Sequence, residues 1–348
     1  MKICFSTLAC PDYSWTDIYS MAKDLGFNGI EVRGLGDDIF AVKAKPFTQA
    51  ELPRTIKKLE SIGLEIPCLS SGCCLKFEDK KEETMSELRA YIDLAQKLKT
   101  PYIRILADLE PAPSGEVDDE KIAAFLCEIA PEALEAGVTL LVETNGVYCD
   151  TLRLRALLDK VNSPAVAALW DMHHPYRYCG EAPETTVDNL GSYIKYIHVK
   201  DSNFDENGKL VYRLMGHGDM PVKQMLASLQ KISYDGYISL EWVKRWSKDL
   251  YSAGIVFPQF ARFMKPYLTK KQGLQVSNRG KGYYPWKKET LIDETFPDVL
   301  DRICEEFPEQ IAFDFTELDY KRTYVEFRED VERFARALIG MGVKNGDH

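Results

Sequence analysis

Short apolar stretches alternate with longer amphipathic stretches along the first 268 residues. The apolar stretches are nearly continuous, which is typical of parallel strands whose two faces are both buried. They predict eight strands, at residues 2–7, 29–34, 65–72, 102–108, 139–145, 166–171, 196–201 and 236–242. Each strand is followed by a polar-faced segment that predicts a helix.

The clearest helical pattern lies at residues 14–26, where Ser14 is a suitable N-cap and Gly26 a suitable stop. Further helices are expected at 48–63, 80–99, 151–162, near 183–193 and at about 255–268. Two more segments carry apolar residues at i, i+3, i+4 and i+7: Ile122, Phe125, Leu126 and Ile129 in one, and Val222, Met225, Leu226 and Leu229 in the other. Eight strand–helix units predict an α/β fold, a (β/α)8 TIM barrel over residues 1–268. A doubly wound open sheet is the alternative, but no G-x-G-x-x-G opens the first helix.

Composition narrows the class of protein. The chain has 348 residues, of which 45% are hydrophobic, and a formal net charge of −10, which disfavours a nucleic-acid partner. No apolar run is long enough to span a membrane, and the N-terminus is too short and too polar for a secretory signal. Nine cysteines without a CxxC pair indicate a cytoplasmic protein with reduced thiols.

Polar side chains close four consecutive predicted strands. These residues are Glu143, Asp171, His198 and Glu241. In a parallel barrel such positions meet at the carboxyl end, where active sites form. Three carboxylates and one imidazole suit one divalent ion, with Mn²⁺, Mg²⁺ or Co²⁺ favoured over Zn²⁺. Taken singly, each acid could instead be a helix cap or a surface ion pair, and His198 could be a core histidine.

Other residues near predicted strand ends have two interpretations each. Arg33 and Arg104 could bind a substrate phosphate or carboxylate, or form structural ion pairs. His217, in the segment GHGD, could contact substrate or cap a loop. His173 is expected to stack on another ring or to face solvent.

Seven segments together resemble the xylose isomerase-like TIM barrel family of sugar phosphate isomerases and epimerases. They are FSTLACPDYSW, GFNGIEVRG, VETN, LWDMHHP, YIHVKDS, GHGDMPV and YDGYISLEW. The resemblance implies that Glu143, Asp171, His198 and Glu241 hold one divalent metal. It further implies that His174 binds a substrate oxygen and that the two glutamates move protons. The three-zinc nucleases of this family have extra histidines on early strands, whereas this chain has none before His173.

The residue types and the resemblance predict an isomerase or epimerase of a small sugar, sugar phosphate or polyol derivative. Proton transfer by Glu143 and Glu241 through a metal-stabilised enediolate would carry the reaction. A metal-dependent dehydratase on the same barrel is one alternative. A non-catalytic ligand-binding module fused to a ligase is another. The substrate is expected to be a small carbohydrate-like molecule, without nucleic-acid or membrane partners, and a homo-oligomer is compatible with the sequence.

The chain after the predicted barrel has a different composition. Residues 269–288 are rich in lysine and glycine and predict a linker. Residues 289–348 predict a short helical tail, with an apolar stripe of Val331, Phe334, Ala335 and Leu338. Residues 283–348, which end in TYVEFREDVERFARALIGMGVKNGDH, resemble the N-terminal start of an AMP-forming acyl-CoA synthetase. They contain no phosphate loop or adenylation motif, so no ligase activity is expected from them.

Overall fold

The computed structural model describes residues 1–268, 295–315 and 320–344. The chain divides into two compact units, Met1–Lys270 and Lys271–His348. None of the helices formed by the described residues is both long and apolar enough to cross a membrane. The predicted linker at 269–288 lies outside the described residues.

Eight parallel strands form a nearly closed barrel in the first unit, as predicted. They are β1 (Lys2–Ser6), β2 (Gly29–Glu31), β3 (Cys68–Cys74), β4 (Tyr102–Leu106), β5 (Thr139–Glu143), β6 (Val166–Asp171), β7 (Ile194–Val199) and β10 (Tyr237–Leu240). Their order around the sheet is β2-β1-β10-β7-β6-β5-β4-β3. Isolated parallel bridges, including Val32 with Leu69, bring β2 towards β3 and nearly close the barrel.

Nine α-helices are formed by the described residues of the first unit and follow these strands along the chain. They are α1 (Trp15–Asp24), α2 (Leu52–Ile62), α3 (Lys81–Leu98), α4 (Asp119–Glu135), α5 (Thr151–Val161), α6 (His173–Cys179), α7 (Pro183–Leu190), α8 (Val222–Lys231) and α9 (Ala253–Met264). The predicted cap is confirmed, because the Ser14 hydroxyl accepts the backbone N–H of Asp17 and the Asp17 carboxylate accepts that of Ser14. Apolar faces such as that of α4, with Leu126 and Ile129 fully buried, pack in the large core cluster.

Two elements of the first unit were not predicted. Helix α6 begins at His173, immediately beyond β6, and a short antiparallel hairpin of β8 (Asp201–Phe204) and β9 (Leu210–Arg213) follows β7. The buried Asp201 carboxylate accepts the backbone N–H groups of Gly216 and Gly218, which fixes the chain after the hairpin.

The expectation that all thiols are reduced is wrong for one pair. Cys149 and Cys179 form a disulfide that joins the loop after β5 to the end of α6. The other cysteines of the described residues are free, and all of these except Cys127 are buried. The two bonded cysteines are 30 positions apart, so no short motif in the sequence marks the pair.

The described residues of the second unit form two helices, α10 (Phe296–Glu306) and α11 (Tyr324–Gly340), in agreement with the predicted helical tail. Between them lies an antiparallel pair that was not predicted, β11 (Ile311–Phe315) and β12 (Tyr320–Thr323). Thr323 and Glu326 form a capping box at the start of α11. Its apolar side chains Val331 and Phe334 are exposed in this unit.

Candidate metal centre at the carboxyl end of the barrel

Alternation along the strands directs the candidate ligands into the barrel. A small interior cluster contains Cys4, Cys68, Leu141, Ala167, Leu169, Tyr196 and Tyr237. Because side chains on a strand repeat with a period of two, a residue two positions further along points the same way. Three candidate ligands follow cluster residues by two positions and therefore point into the barrel, nearer the carboxyl end of the strand. They are Glu143 after Leu141, Asp171 after Leu169 and His198 after Tyr196.

The four predicted ligands meet in one buried cluster. One ligand atom from each of Glu143, Asp171, His198 and Glu241 lies within 4.8 Å of the others. Asp171 and His198 are direct neighbours in the register of β6 and β7. The His198 Nδ1 atom is 3.6 Å from Glu143 Oε1 and 3.5 Å from Glu241 Oε1. The four residues are thus brought together as the sequence predicts.

The donor set fits a divalent cation. The Nδ1 atom of His198 is buried and has no hydrogen-bond partner among the described residues, although it faces two carboxylates. A buried polar atom is seldom left without a partner, and an imidazole nitrogen beside carboxylate oxygens is an ordinary metal ligand. Glu143, Asp171, His198 and Glu241 are therefore the residues that would hold the ion.

Two basic side chains neutralise the acids within the cluster. The Lys200 ammonium donates hydrogen bonds to Asp171 Oδ2 and Glu241 Oε2, and it is itself buried. Arg104 donates from Nε to Glu143 Oε2 at 2.5 Å and from Nη1 to the Ser71 carbonyl oxygen at 3.1 Å. The cluster therefore carries its own counter-cations, with which a divalent ion would compete.

Burial and neighbouring charges act in opposite directions on the acids. Burial opposes ionisation of Glu143, but Arg104 and His198 outweigh it and hold the pKa of Glu143 well below its ordinary value. Burial also opposes ionisation of Glu241, yet Lys200 and His198 lower its pKa to about 2. For Asp171 burial dominates and raises the pKa. Both glutamates are consequently ionised at neutral pH.

A buried acid beneath the cluster orients His198. The Nε2 atom of His198 lies 2.9 Å from Glu31 Oε2, and Ser70 donates its hydroxyl to Glu31 Oε1 at 2.6 Å. Burial opposes a charge on His198, but Glu31 and then Glu241 raise its pKa well above the ordinary value. The Nε2–H thus donates to Glu31, which leaves Nδ1 directed at Glu143 and Glu241.

His174 and His173 occupy different environments although they are adjacent. His174 Nδ1 is 3.1 Å from the Thr144 carbonyl oxygen and donates to it, and Nε2 is 3.5 Å from Asp171 Oδ2, so this ring borders the cluster. His173 is buried, with Nε2 2.9 Å from the Ser202 hydroxyl, and its ring lies near those of Tyr178 and Tyr212. Ring contact was expected for His173, but solvent exposure was not found.

The other two predicted substrate residues lie outside the cluster. Arg33 is partly buried beyond β2, and its Nη1 donates to the Ile39 carbonyl oxygen at 3.0 Å. His217 is exposed after the β8–β9 hairpin and lines a surface pocket with Asn203, Arg213, Leu214 and Tyr251. Their substrate roles remain predictions.

Sequence analysis missed Glu31 and Lys200. Glu31 closes β2 two positions after Gly29, and Lys200 follows His198 by two positions. The period of two that identifies the other interior residues therefore applies to both. The signal is therefore present in the segments GIEVRG and YIHVKD.

Comparison with known proteins agrees with this architecture. The family model for xylose isomerase-like TIM barrels matches residues 20–258. Fructoselysine 3-epimerase of Shigella flexneri is 24% identical over 242 residues, covering 66% of this chain and 85% of that protein. For 3-dehydroshikimate dehydratase of Bacillus anthracis the identity is 25% over 257 residues, covering 69% of this chain and 89% of that protein.

A solved structure of L-ribulose 3-epimerase has the same fold. Its TM-score is 0.62 at 18% identity, and the match covers 77% of this chain and 94% of that one. At this identity the likeness establishes the fold alone. The family model, by contrast, spans more than half of the chain and contains all four cluster residues. The chain therefore belongs to the xylose isomerase-like TIM barrel family.

Proposed function

We propose that the protein is a divalent-metal-dependent isomerase or epimerase of a small sugar, sugar phosphate or polyol derivative. The observation that carries the proposal is the buried convergence of Glu143, Asp171, His198 and Glu241, where His198 Nδ1 has no hydrogen-bond partner in the described part of the chain. The similarity to a fructoselysine 3-epimerase supports the same class of reaction. A location in the cytoplasm stays a prediction of the sequence.

Glu143 and Glu241 are suited to moving a proton at a carbon beside a carbonyl group. Their lowered pKa values keep both ionised and able to accept a proton. They come from β5 and from the end of β10, which two other strands separate in the sheet. One ionised glutamate can therefore remove a proton from the carbon, and the other, after taking a proton from solvent, can deliver it to the opposite face and invert that carbon. Delivery of the removed proton to the neighbouring carbon by the same group gives isomerisation instead. A bound divalent metal supplies charge stabilisation at the substrate oxygens.

His174 is suited to fixing a substrate hydroxyl. Its Nδ1–H is engaged by the Thr144 carbonyl, so Nε2 carries the lone pair. Burial lowers the pKa of His174, which keeps the ring neutral and able to accept a hydrogen bond. This arrangement supports the substrate role that the family resemblance implies for His174.

A dehydratase is the second candidate, and Lys200 favours it. The ammonium lies between Asp171 and Glu241 and offers a proton donor for a departing hydroxyl group. The similarity to 3-dehydroshikimate dehydratase supports the same alternative. The two candidates share proton removal and differ in whether water is lost.

The test combines metal stoichiometry with proton exchange on the full chain. Protein is stripped with chelator, reloaded with Mn²⁺, and incubated with D-fructose, D-tagatose, D-ribulose and their phosphates in D₂O. We expect one tightly bound ion per chain and incorporation of solvent deuterium into one or more of these sugars. Mass spectrometry and NMR detect the incorporated deuterium. Net loss of water would identify the dehydratase. A folded chain that binds no ion and exchanges no proton would instead be a non-catalytic module.

A further inference from the structure

Three arginines gather at the carboxyl end of the barrel. Arg33 follows β2, Arg104 lies in β4, and Arg245 follows β10, where its backbone N–H donates to the Leu8 carbonyl beyond β1. Burial is the largest cause that lowers the pKa of Arg33, and repulsion from Arg104 and Arg245 lowers it further. The charge on Arg33 therefore interacts with those of both other arginines.

Of these three arginines, Arg104 alone forms an ion pair with a carboxylate among the described residues. Arg104 pairs with Glu143, whereas Arg33 Nη1 donates to the Ile39 carbonyl oxygen and Arg245 Nη2 donates to the Gly36 carbonyl oxygen. The Nε of Arg245 is buried without any hydrogen-bond partner in the described part of the chain. Glu87 lies near Arg33 and attracts it, but forms no ion pair with it.

Arg33 and Arg245 are half-buried cations, neither of which forms an ion pair with an acid among the described residues. A buried charge is ordinarily paired, and like charges destabilise one another unless an opposite charge joins them. The planar guanidinium fork binds carboxylate and phosphate oxygens with two parallel hydrogen bonds. An anion held by Arg33 and Arg245 would remove the repulsion and occupy the unpartnered donor of Arg245.

This group of arginines borders the metal cluster. Arg104 links the two, since it bonds both Glu143 and the carbonyl oxygen of Ser71. The next residue, Gly72, is exposed, and a Cβ placed there would lie 3.4 Å from Arg33 Nη2. The absence of a side chain at Gly72 therefore leaves space beside the Arg33 guanidinium, and Arg104 connects this region to Glu143.

We propose that Arg33 and Arg245 bind an anionic group of the substrate, a carboxylate or a phosphate, beside the metal cluster. This inference rests on the proposed function and narrows its substrates to acidic sugars or sugar phosphates. The competing role is structural, because both arginines also hold carbonyl groups of the loop at residues 36–39. A purely structural role would change stability without distinguishing charged from neutral ligands.

The test measures ligand binding by calorimetry on the full, Mn²⁺-loaded chain. The probes are D-ribulose, D-ribulose 5-phosphate and D-ribonate, which differ in their anionic group. We expect at least one anionic probe to bind about tenfold or more tightly than D-ribulose. A preference for ribonate identifies a carboxylate site, and a preference for the phosphate ester identifies a phosphate site.

Variants separate anion binding from loop support. Arg33→Met and Arg245→Met should each lower the affinity for the anionic probe by about ten- to a hundredfold and leave the affinity for D-ribulose unchanged. Arg33→Lys keeps the positive charge but not the planar guanidinium, and it should therefore lose less affinity for the anionic probe than Arg33→Met. Arg89→Met removes an exposed arginine that pairs with Glu132 and is the matched control. If Arg33→Met does not fold, Arg245→Met and Arg33→Lys still test the site.

Several outcomes would overturn the inference. These are equal binding of neutral and anionic probes, no binding of any probe to folded metal-loaded protein, and equal effects of the variants on all probes. Calorimetry does not depend on turnover, so anion binding can succeed even if no sugar exchanges deuterium. Deuterium exchange into a neutral ketose without any anion preference would uphold the proposed function and reject this site.

Discussion

The Glu31 carboxylate accepts the Nε2–H of His198 at 2.9 Å and thereby fixes which ring nitrogen faces the cluster. Both side chains are buried, and although they come from β2 and β7 the two residues are 167 positions apart in the sequence. A carboxylate that orients a histidine ligand raises the basicity of the ring and fixes its tautomer. Glu31 is therefore a positioning residue for the candidate metal centre.

Replacement of Glu31 by glutamine should weaken metal binding. The amide keeps the shape but loses the charge that holds His198, and loss of such an outer partner typically costs about 10- to 100-fold in affinity. Calorimetric titration of chelator-treated protein with Mn²⁺ measures the change in metal affinity. Glu60→Gln, at an exposed position of α2, is the control. Unchanged affinity in Glu31→Gln would mean that His198 is oriented without Glu31 or is not a ligand.

Glu143→Gln and Glu241→Gln should each abolish turnover and weaken metal binding. Each substitution removes both a proposed base and a carboxylate ligand. Loss of a general base alone lowers the rate by about two to four orders of magnitude. Deuterium incorporation and Mn²⁺ stoichiometry give the two readouts, and Glu135→Gln, an exposed position of α4, is the control. Wild-type activity and metal affinity in either variant would reject the site.

Lys200→Met should destabilise the metal-free protein more than the metal-loaded protein. Without the ammonium, Asp171 and Glu241 lose the cation that both contact, and removing one partner of a buried ion pair costs about 3–5 kcal/mol. A bound divalent ion replaces that charge, so saturating Mn²⁺ should recover most of the loss. Urea unfolding with chelator and with Mn²⁺ measures both states.

Lys231→Met is the control for Lys200→Met, because Lys231 is an exposed lysine whose Nζ lies 3.9 Å from Glu184 Oε1 in a surface pair. It should leave both unfolding midpoints nearly unchanged, as expected for a surface pair. An equal deficit of Lys200→Met with and without Mn²⁺ would show that Lys200 does not substitute for the ion.

The barrel and its four-residue cluster were accessible from sequence because both follow local periodicity. Apolar strand runs mark the barrel, and Glu143 and Asp171 close β5 and β6 at the expected positions. The register then brings Asp171 and His198 side by side without further information. Parallel topology thus converts strand-end residues into neighbours.

The parts that could not be predicted depend on tertiary contacts. The contact of Glu31 with His198 spans the barrel, and the bond between Cys149 and Cys179 joins two loops that no spacing relates. Helix α6 has only seven residues, too few for a periodic pattern to identify. Arg245 entered no sequence hypothesis, since its unpartnered Nε is apparent only once its surroundings are known.

Reduction of the Cys149–Cys179 disulfide should destabilise the barrel. The bond closes a loop of about 30 residues that contains β6 and the two histidines of α6, and loop-closure entropy assigns such a crosslink about 3–4 kcal/mol. Cys179→Ser should therefore lower the urea midpoint by an amount that matches reduction of the wild-type chain. Fluorescence of the buried Trp170 and Trp242 reports on unfolding of the barrel.

The control is Cys127→Ser, at an exposed free thiol, which should leave the urea midpoint unchanged. If reductant leaves the wild-type midpoint unchanged while Cys179→Ser lowers it, the stabilisation comes from packing of Cys179 and not from the crosslink.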